Sequence, residues 1–304
     1  MRRKRNQALK PYLTLVMHIM RKHRKLKRLY GNWIYRLNKK DKENIKMNNL
    51  FYADLFLYGN YILDHAFHDE VIPDYELTIF SFLYKILELL DSMMVMAHQG
   101  LLNEERIILR SLLEANAQLM YILHEDKDER KRRAIVMQMM DIKHGSIDDD
   151  TFYQHMQDHS LYGAYIHIIR DSTSAWDKWY CYCEGRYIRI KDLFEFIGWG
   201  DIYRYIYRPL CDDTHLAYHM EDNIDFHIND DKTFYFRPFR YFDCDINNDI
   251  MLIILRFVPL LYDRFFLLYG LENADWRIFR EKSSELISSL SNLEELIFRM
   301  KKNS

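Results

Sequence analysis

The chain has 304 residues, of which 49% are apolar, 15% aromatic and 29% charged. This apolar content can bury a large core, and it excludes an intrinsically disordered chain. The nine glycines and five prolines favour long helices over many strands. The formal net charge of −2 conceals an asymmetry, because residues 1–40 carry 14 Lys or Arg and no Asp or Glu. The other 264 residues carry 29 basic and 45 acidic side chains.

The basic N-terminal segment is expected to bind RNA or another polyanion through its phosphates. Its densest run, RKHRKLKR, supplies the candidate phosphate ligands Arg21, Lys22, Arg24 and Lys25. The same run could instead be a solvated helix face that docks on the acidic remainder of the chain. The preceding apolar run Tyr12–Met20 is too short to span a bilayer and precedes no signal-peptidase site. Neither a signal peptide nor a transmembrane segment is therefore predicted.

Apolar residues recur every three or four positions through the first half of the chain. This spacing predicts amphipathic helices at Leu50–Phe67, Asp74–His98, Asn103–His124 and Arg130–Lys143. The pattern is weaker over 148–170 but still compatible with a helix. Next, Trp179–Ile190 alternates in a way that predicts a short strand or an extended loop.

Two short helices are predicted at Asp192–Ile197 and Asp201–Tyr207, followed by a small hairpin or an ordered loop near 225–245. Helices at Asp249–Tyr269 and Ala274–Met300 complete the pattern. The stretch Ile250–Tyr269 of the first contains Pro259 and three charges, which indicates a buried, kinked helix and not a membrane span. The predicted fold is mainly α, a single helical-bundle-like domain at residues 46–304 with a basic N-terminal extension at residues 1–45.

One predicted helix carries a charged stripe on an otherwise apolar pattern. Arg106, Arg110 and Glu114 are each four residues from the next and share a face. A buried charge without a partner costs several kcal/mol, so this stripe must find partners. Arg110 is a candidate phosphate ligand and Glu114 a candidate catalytic residue that orients a neighbour. The competing interpretation is a buried ion network that fixes helix packing.

The segment YRYIYRPLCDDTH contains the other two candidate catalytic residues, Arg208 and His215. A guanidinium holds phosphate oxygens bidentately, and a histidine transfers protons at neutral pH. Together they provide most of what RNA cleavage without a metal requires. Pro209 follows Arg208 directly, which predicts that Arg208 lies before a helix and not within it.

Three blocks of the chain together resemble a bacterial family known only as a domain of unknown function, number 5677. They are ERIILRSLLEANAQLMYIL with DERKRRA, then KWYCYCEGRYIRIKDLFEFIG, then DIYRYIYRPLCDDTH. The family has a helix of the form LRSLLEA, then a tryptophan-containing stretch, then a Tyr-x-x-x-Tyr-Arg segment that ends in His. The resemblance covers roughly residues 50–270 and supports the helical fold and the location of the site.

The spacing of Arg208 and His215 is also similar to the signature of HEPN-type ribonucleases, in which four to six residues separate an arginine from a histidine. Such enzymes are common in toxin–antitoxin and phage-defence systems, and they pair two copies across a dimer. The resemblance therefore implies a homodimeric antiviral or toxin effector, with an antitoxin or another defence protein as partner. The prolyl residue at position 209 departs from the arrangement in which both residues share one helix.

No metal or cofactor is predicted. His215 and His219, like His155 and His159, are four residues apart, but no HExxH glutamate or cysteine pair accompanies them. The four cysteines fit no zinc spacing and are expected to be reduced thiols in a cytoplasmic protein. The chain contains neither a Gly-rich phosphate loop nor a GxSxG motif, which disfavours P-loop hydrolases and ordinary serine hydrolases.

The leading hypothesis is an HEPN-like, metal-independent ribonuclease that acts as a toxin or phage-defence effector. The first alternative is a non-catalytic helical module that binds nucleic acid, a nucleotide or a protein through the same polar residues. The second alternative is a peripheral membrane protein whose basic run lies on anionic lipid beside Tyr12–Met20.

Overall fold

The computed structural model describes residues 37–66, 73–123, 126–146, 148–172, 176–214, 224–226, 234–236 and 243–290. Its helices are α1 Lys39–His65, α2 Asp74–His98, α3 Leu102–Ile122, α4 Lys127–Gly145, α5 Asp149–Asp158, α6 Ile166–Arg170, α7 Trp179–Glu184, α8 Ile190–Phe196, α9 Gly200–Ile202, a π-helix Tyr203–Tyr207, α10 Arg208–Thr214, α11 Cys244–Leu268 and α12 Ala274–Leu290. The prediction of a mainly α fold is confirmed. Two short antiparallel strands, β1 Ile224–Phe226 and β2 Phe234–Phe236, occupy the region where a hairpin or an ordered loop is predicted.

Helices α3 and α11 form the centre of the core. Both have buried side chains on most of their circumference, as expected of helices enclosed by others. Helix α11 contacts α1, α3 and α12, while α3 contacts α2, α10 and α8 as well. The core is thus continuous from α1 to α12, and one side of α3 remains available to the segments that carry the candidate site.

Helix α1 begins earlier than its apolar pattern predicts, at Lys39 instead of Leu50. Asn38 and Asp41 form a capping box, in which each side chain accepts a hydrogen bond from the other residue's backbone N–H at 3.0 and 2.8 Å. The polar first half of α1 is then held by the buried Asn48 amide, which donates to Asn247 Oδ1 at 2.5 Å. The predicted boundary between extension and domain, after residue 45, falls inside this helix.

The prediction of a strand or extended loop at Trp179–Ile190 is wrong for its first half, which forms helix α7. All residues of Trp179–Cys183 are buried, so their alternation does not mark one exposed and one buried face. Gly185 ends the helix in the left-handed conformation, with φ of 62°.

The remaining predicted helices differ from the observed ones mainly at their ends. The weak pattern over 148–170 divides into α5 and α6. Helix α12 is described as far as Leu290, and the remainder of the predicted helix to Met300 lies outside the described residues. Within the described ranges, every helix is too short or too polar to span a bilayer.

Candidate functional site

The charged stripe of α3 divides between the core and a half-buried cluster. Arg106 is buried, whereas the side chains of Arg110 and Glu114 retain 20% and 24% of their exposure. The Arg110 Nη1 and Glu114 Oε2 atoms lie 3.1 Å apart, one turn of helix from each other. Arg110 and Glu114, which are four residues apart in the sequence, therefore form an ion pair in the structure. We call Arg110, Glu114, Tyr207 and Cys211 the polar cluster.

The other two members of the polar cluster come from the π-helix and from α10. The Tyr207 hydroxyl donates to Glu114 Oε2 at 2.9 Å, and Arg110 Nε donates to Cys211 Sγ at 3.4 Å. The Arg110 guanidinium also lies 5.1 Å from the centroid of the Tyr207 ring. Burial, followed by the charge of Glu114, raises the pKa of Tyr207, so its hydroxyl remains a donor. These contacts fix α10 against α3.

Arg208 follows Tyr207 and is the first residue of α10. The prediction that it lies before a helix is wrong, because its φ of −61° and ψ of −47° are helical and the helical turns continue from α9 through the π-helix. The π-helix provides the physical reason. Pro209 has no N–H, and its ring would clash with the carbonyl four residues earlier in a regular α-helix, a conflict that wider π turns relieve.

The side chain of Arg208 is exposed to solvent, unlike those of Tyr207 and Leu210 beside it. It is also one turn from Cys211, which contacts Arg110. An exposed cation thus stands at the edge of the polar cluster, on a helix that the cluster holds in place. The structure brings Arg110 and Glu114 together, and it places Arg208 on the adjoining helix.

Five sequence-predicted site residues lie outside the described residues. They are His215, Arg21, Lys22, Arg24 and Lys25. Helix α10 is described up to Thr214, the residue before His215. Among the described residues, no group of three or more His, Cys, Asp or Glu side chains is arranged to hold a metal ion.

A small polar cavity of about 190 Å³ lies on the other side of Glu114. It is lined by residues of α3, α4 and the start of α7, including Gln118, Asp141, His144 and Trp179. The Trp179 indole donates to Gln118 Oε1 at 2.9 Å and so orders one wall. The sequence alone does not predict this cavity, although Trp179 belongs to the tryptophan-containing block singled out above.

A second charged network joins two other blocks of the sequence, DERKRRA and CYCEG. Arg132 Nη1 donates to the Cys183 carbonyl at 2.8 Å, and Glu129 accepts from both Arg132 and Arg133. The hydrogen bond from Arg132 is the main cause that lowers the pKa of Glu129 to about 2. The Arg133 guanidinium stacks 3.8 Å from the Tyr121 ring centroid and is 5% exposed. Arg133 is thus closed to solvent, whereas Arg132 and Glu129 each keep 27% of their side-chain exposure, and the network joins α3, α4 and α7.

A family profile described as a family of unknown function, DUF5677, matches residues 76–233. The chain belongs to this family. The matched region runs from α2 through α10 and β1 to the residue before β2, and it includes the polar cluster, Arg208, His215 and the Arg132–Arg133 network. No curated protein and no solved structure matches the chain. The family match thus covers the candidate site while leaving α1, α11 and α12 outside.

Proposed function

We propose that this DUF5677 member is an HEPN-like ribonuclease that cleaves RNA without a metal ion, with Arg208 and His215 as its catalytic residues. The observation that carries the proposal is the exposure of Arg208 on a helix that the polar cluster fixes against α3. A cation used only for packing would be buried and paired, as Arg133 is. An exposed guanidinium on a rigid support is instead suited to hold a phosphate.

The chemistry requires two proton transfers and one charge stabiliser. The 2′-hydroxyl of the substrate loses its proton and its oxygen attacks the adjacent phosphorus. The bond to the 5′-oxygen then breaks, and that oxygen receives a proton, leaving a 2′,3′-cyclic phosphate and a 5′-hydroxyl. His215 transfers a proton in this reaction, and Arg208 stabilises the negative charge that develops on the phosphate.

The polar cluster has a positioning role in this proposal. Glu114 and Tyr207 hold the turn from which Arg208 projects, and Arg110 adds a half-buried positive charge beside it. Arg21, Lys22, Arg24 and Lys25 would bind the RNA backbone away from the scissile bond. The HEPN-like arrangement further implies a cytoplasmic homodimer that acts in toxin or phage-defence systems, restrained by an antitoxin or other partner protein.

The test compares the wild-type protein with Arg208→Ala and His215→Ala, using total cellular RNA with and without EDTA. We expect cleavage by the wild-type protein in both conditions and a loss of about 10²-fold or more in each variant, with unchanged melting temperatures. Arg204→Ala is the matched control, because Arg204 is also exposed and lies one helical turn earlier. It should retain cleavage.

Glu114→Gln is expected to lower both activity and melting temperature, because it leaves the half-buried Arg110 without its ionic partner. Intact RNA after incubation with the wild-type protein, or loss of folding in the Arg208 and His215 variants, would overturn the proposal. If the wild-type protein binds RNA without cleaving it, and the binding depends on Arg208, the non-catalytic binding module takes its place.

A further inference from the structure

The small polar cavity beside Glu114 has no part in the cleavage chemistry proposed above. Its volume is about 190 Å³, and it lies between α3, α4 and the start of α7. A water molecule takes up about 30 Å³ of the liquid, and the pockets of drug-sized ligands begin at about 300 Å³. The cavity therefore has room for one flat ring system and not for a whole nucleotide.

The cavity has an apolar floor. Met140 of α4 and Trp179 and Tyr180 of α7 line it, and all three side chains are buried. Aromatic rings and the polarisable sulfur of methionine pack well against the face of another aromatic ring. A planar, aromatic ligand fits this floor better than a sugar or an aliphatic chain.

Glu114 and Gln118, one turn apart on α3, present complementary groups to the cavity. Glu114 Oε2 is occupied by Arg110 and Tyr207, whereas Oε1 has no donor among the described residues. Gln118 Oε1 accepts from the Trp179 indole at 2.9 Å, and an indole can only donate. Within the same part of the chain, the Gln118 amide nitrogen has no acceptor. One carboxylate acceptor and one amide donor are thus available side by side.

The charge of the cavity disfavours a phosphate. The carboxylates of Glu114, Asp141 and Asp177 line it, against the ammonium group of Lys178 and the imidazole of His144. The guanidinium of the polar cluster lies on the other side of Glu114. An RNA strand is therefore expected to place a base in the cavity and its phosphates on the side of the polar cluster.

We propose that the cavity is a guanine pocket, which receives one unstacked base of the RNA substrate and sets the sequence at which the protein acts. The inference rests on the proposed ribonuclease function and adds its specificity. Guanine presents an imino and an amino donor beside a carbonyl acceptor. These groups match the Glu114 carboxylate and the Gln118 amide, respectively.

The other bases match the cavity less well. Adenine has no carbonyl group to accept from Gln118 and no imino donor for Glu114. Uracil and cytosine each turn a second acceptor towards a wall that is rich in carboxylates. A base recognised on its Watson–Crick edge must leave the stack, as in the recognition of single-stranded RNA generally.

Binding of free nucleosides to the full-length protein tests the pocket without any cleavage. Isothermal titration calorimetry with millimolar guanosine should detect binding, and adenosine and N1-methylguanosine should bind about tenfold or more weakly. Gln118→Glu keeps an acceptor for the Trp179 indole but replaces the amide donor, so guanosine binding should fall by about tenfold or more. The matched control is Gln154→Glu, the same change at an exposed position of α5, which should bind guanosine as the wild-type protein does.

Sequencing the ends of the RNA fragments tests the link to cleavage. Guanine should be enriched at one fixed position relative to the cut, and Gln118→Glu should lose this enrichment. Guanosine binding without RNA cleavage would support the pocket and overturn the ribonuclease. Cleavage without base preference, together with no guanosine binding, would overturn the pocket and leave the ribonuclease standing. Equal affinities for guanosine and adenosine, or guanosine binding unaffected by Gln118→Glu, would also overturn the pocket.

Discussion

Glu105 shows how differently two adjacent residues of the same type behave in this protein. Its side chain is fully buried between α1 and α11, where it accepts from the Tyr52 hydroxyl at 3.2 Å and from the Asn247 amide at 3.2 Å. Burial raises its pKa to about 8, although both hydrogen bonds act in the opposite direction. Glu104, the preceding residue, is exposed. A carboxyl group in the centre of the polar contacts between three helices is therefore protonated at neutral pH.

This pKa predicts a pH dependence of stability. In the unfolded chain Glu105 ionises near pH 4.5, whereas in the folded protein it keeps its proton up to about pH 8. The folded state thus binds an extra proton between these values, and the free energy of unfolding falls as pH rises through this window. The limiting slope is about 1.4 kcal/mol per pH unit. Urea titrations from pH 5 to pH 9 would measure it.

Glu105→Gln should flatten this slope, because glutamine does not titrate and still accepts from Tyr52. Glu104→Gln, at the exposed neighbour, should leave the slope unchanged. If the wild-type protein becomes more stable as pH rises through this window, Glu105 is ionised in the folded state and the interpretation of its burial is wrong.

At the scale of elements, Gly59 allows three helices to meet. A Cβ atom at this position of α1 would lie 2.5 Å from Leu87 Cδ2 on α2 and 2.7 Å from the Tyr262 hydroxyl on α11. The Tyr262 hydroxyl is already committed to the Leu55 carbonyl at 3.1 Å. The absence of a side chain at Gly59 therefore sets how closely α1 approaches both neighbours.

Gly59→Ala is expected to destabilise the protein by about 1–3 kcal/mol, because the added methyl group forces the helices apart. Gly145→Ala is the matched control, since nothing lies within 4 Å of a Cβ there and the position ends a helix. It should be neutral or stabilise by up to about 1 kcal/mol. Chemical denaturation of both variants measures the difference. If both substitutions change the free energy of unfolding equally, the effect at Gly59 comes from backbone propensity and not from close packing.

Sequence reasoning predicts best those helices whose apolar residues all lie on one buried face. Helix α2 is predicted to the residue at both ends, Asp74 and His98. The first eleven residues of α1 are missed because they are mostly polar, and a contact to α11 almost two hundred residues away stabilises them. Helix α7 is missed because it is buried on all sides.

In the candidate site, too, contacts between residues close in sequence are predictable, and contacts between distant segments are not. The Arg110–Glu114 pair is predictable, since its members are one turn apart on one helix. The roles of Tyr207 and Cys211 are not, because each contacts α3 across about a hundred residues of sequence. The π-helix before Pro209 has a clear steric cause, but a proline more often signals the start of a helix than a widened turn within one.

At the scale of the whole molecule, charge separates the chain into a cationic N-terminal segment and an acidic remainder. Residues 1–36 contain 12 Lys or Arg and no acid. Removing them should weaken binding to RNA and make the remaining affinity less dependent on salt, because fewer counterions are released. Helix α1 keeps its capping box in the shortened chain, so the melting temperature should change little.

Fluorescence titrations of RNA and of anionic vesicles over a salt series would measure both effects. As a control for the loss of positive charge elsewhere on the protein, four exposed lysines of the described helices are replaced by Gln, namely Lys42, Lys46, Lys85 and Lys127. This variant should retain most of the affinity. Unchanged RNA and vesicle binding after removal of residues 1–36 would exclude the segment as a polyanion-binding arm, while loss of vesicle binding alone would favour the lipid alternative.

The contact between Asn48 and Asn247 has a consequence for how the protein is made. These residues are 199 positions apart, and α1 completes its packing only against α11. A ribosome that adds 5–20 residues per second needs roughly 10–40 s to synthesise the intervening chain. During that interval the apolar face of α1 has emerged while part of its permanent cover has not. Any activity that depends on the finished core therefore begins only after almost the whole chain has left the ribosome.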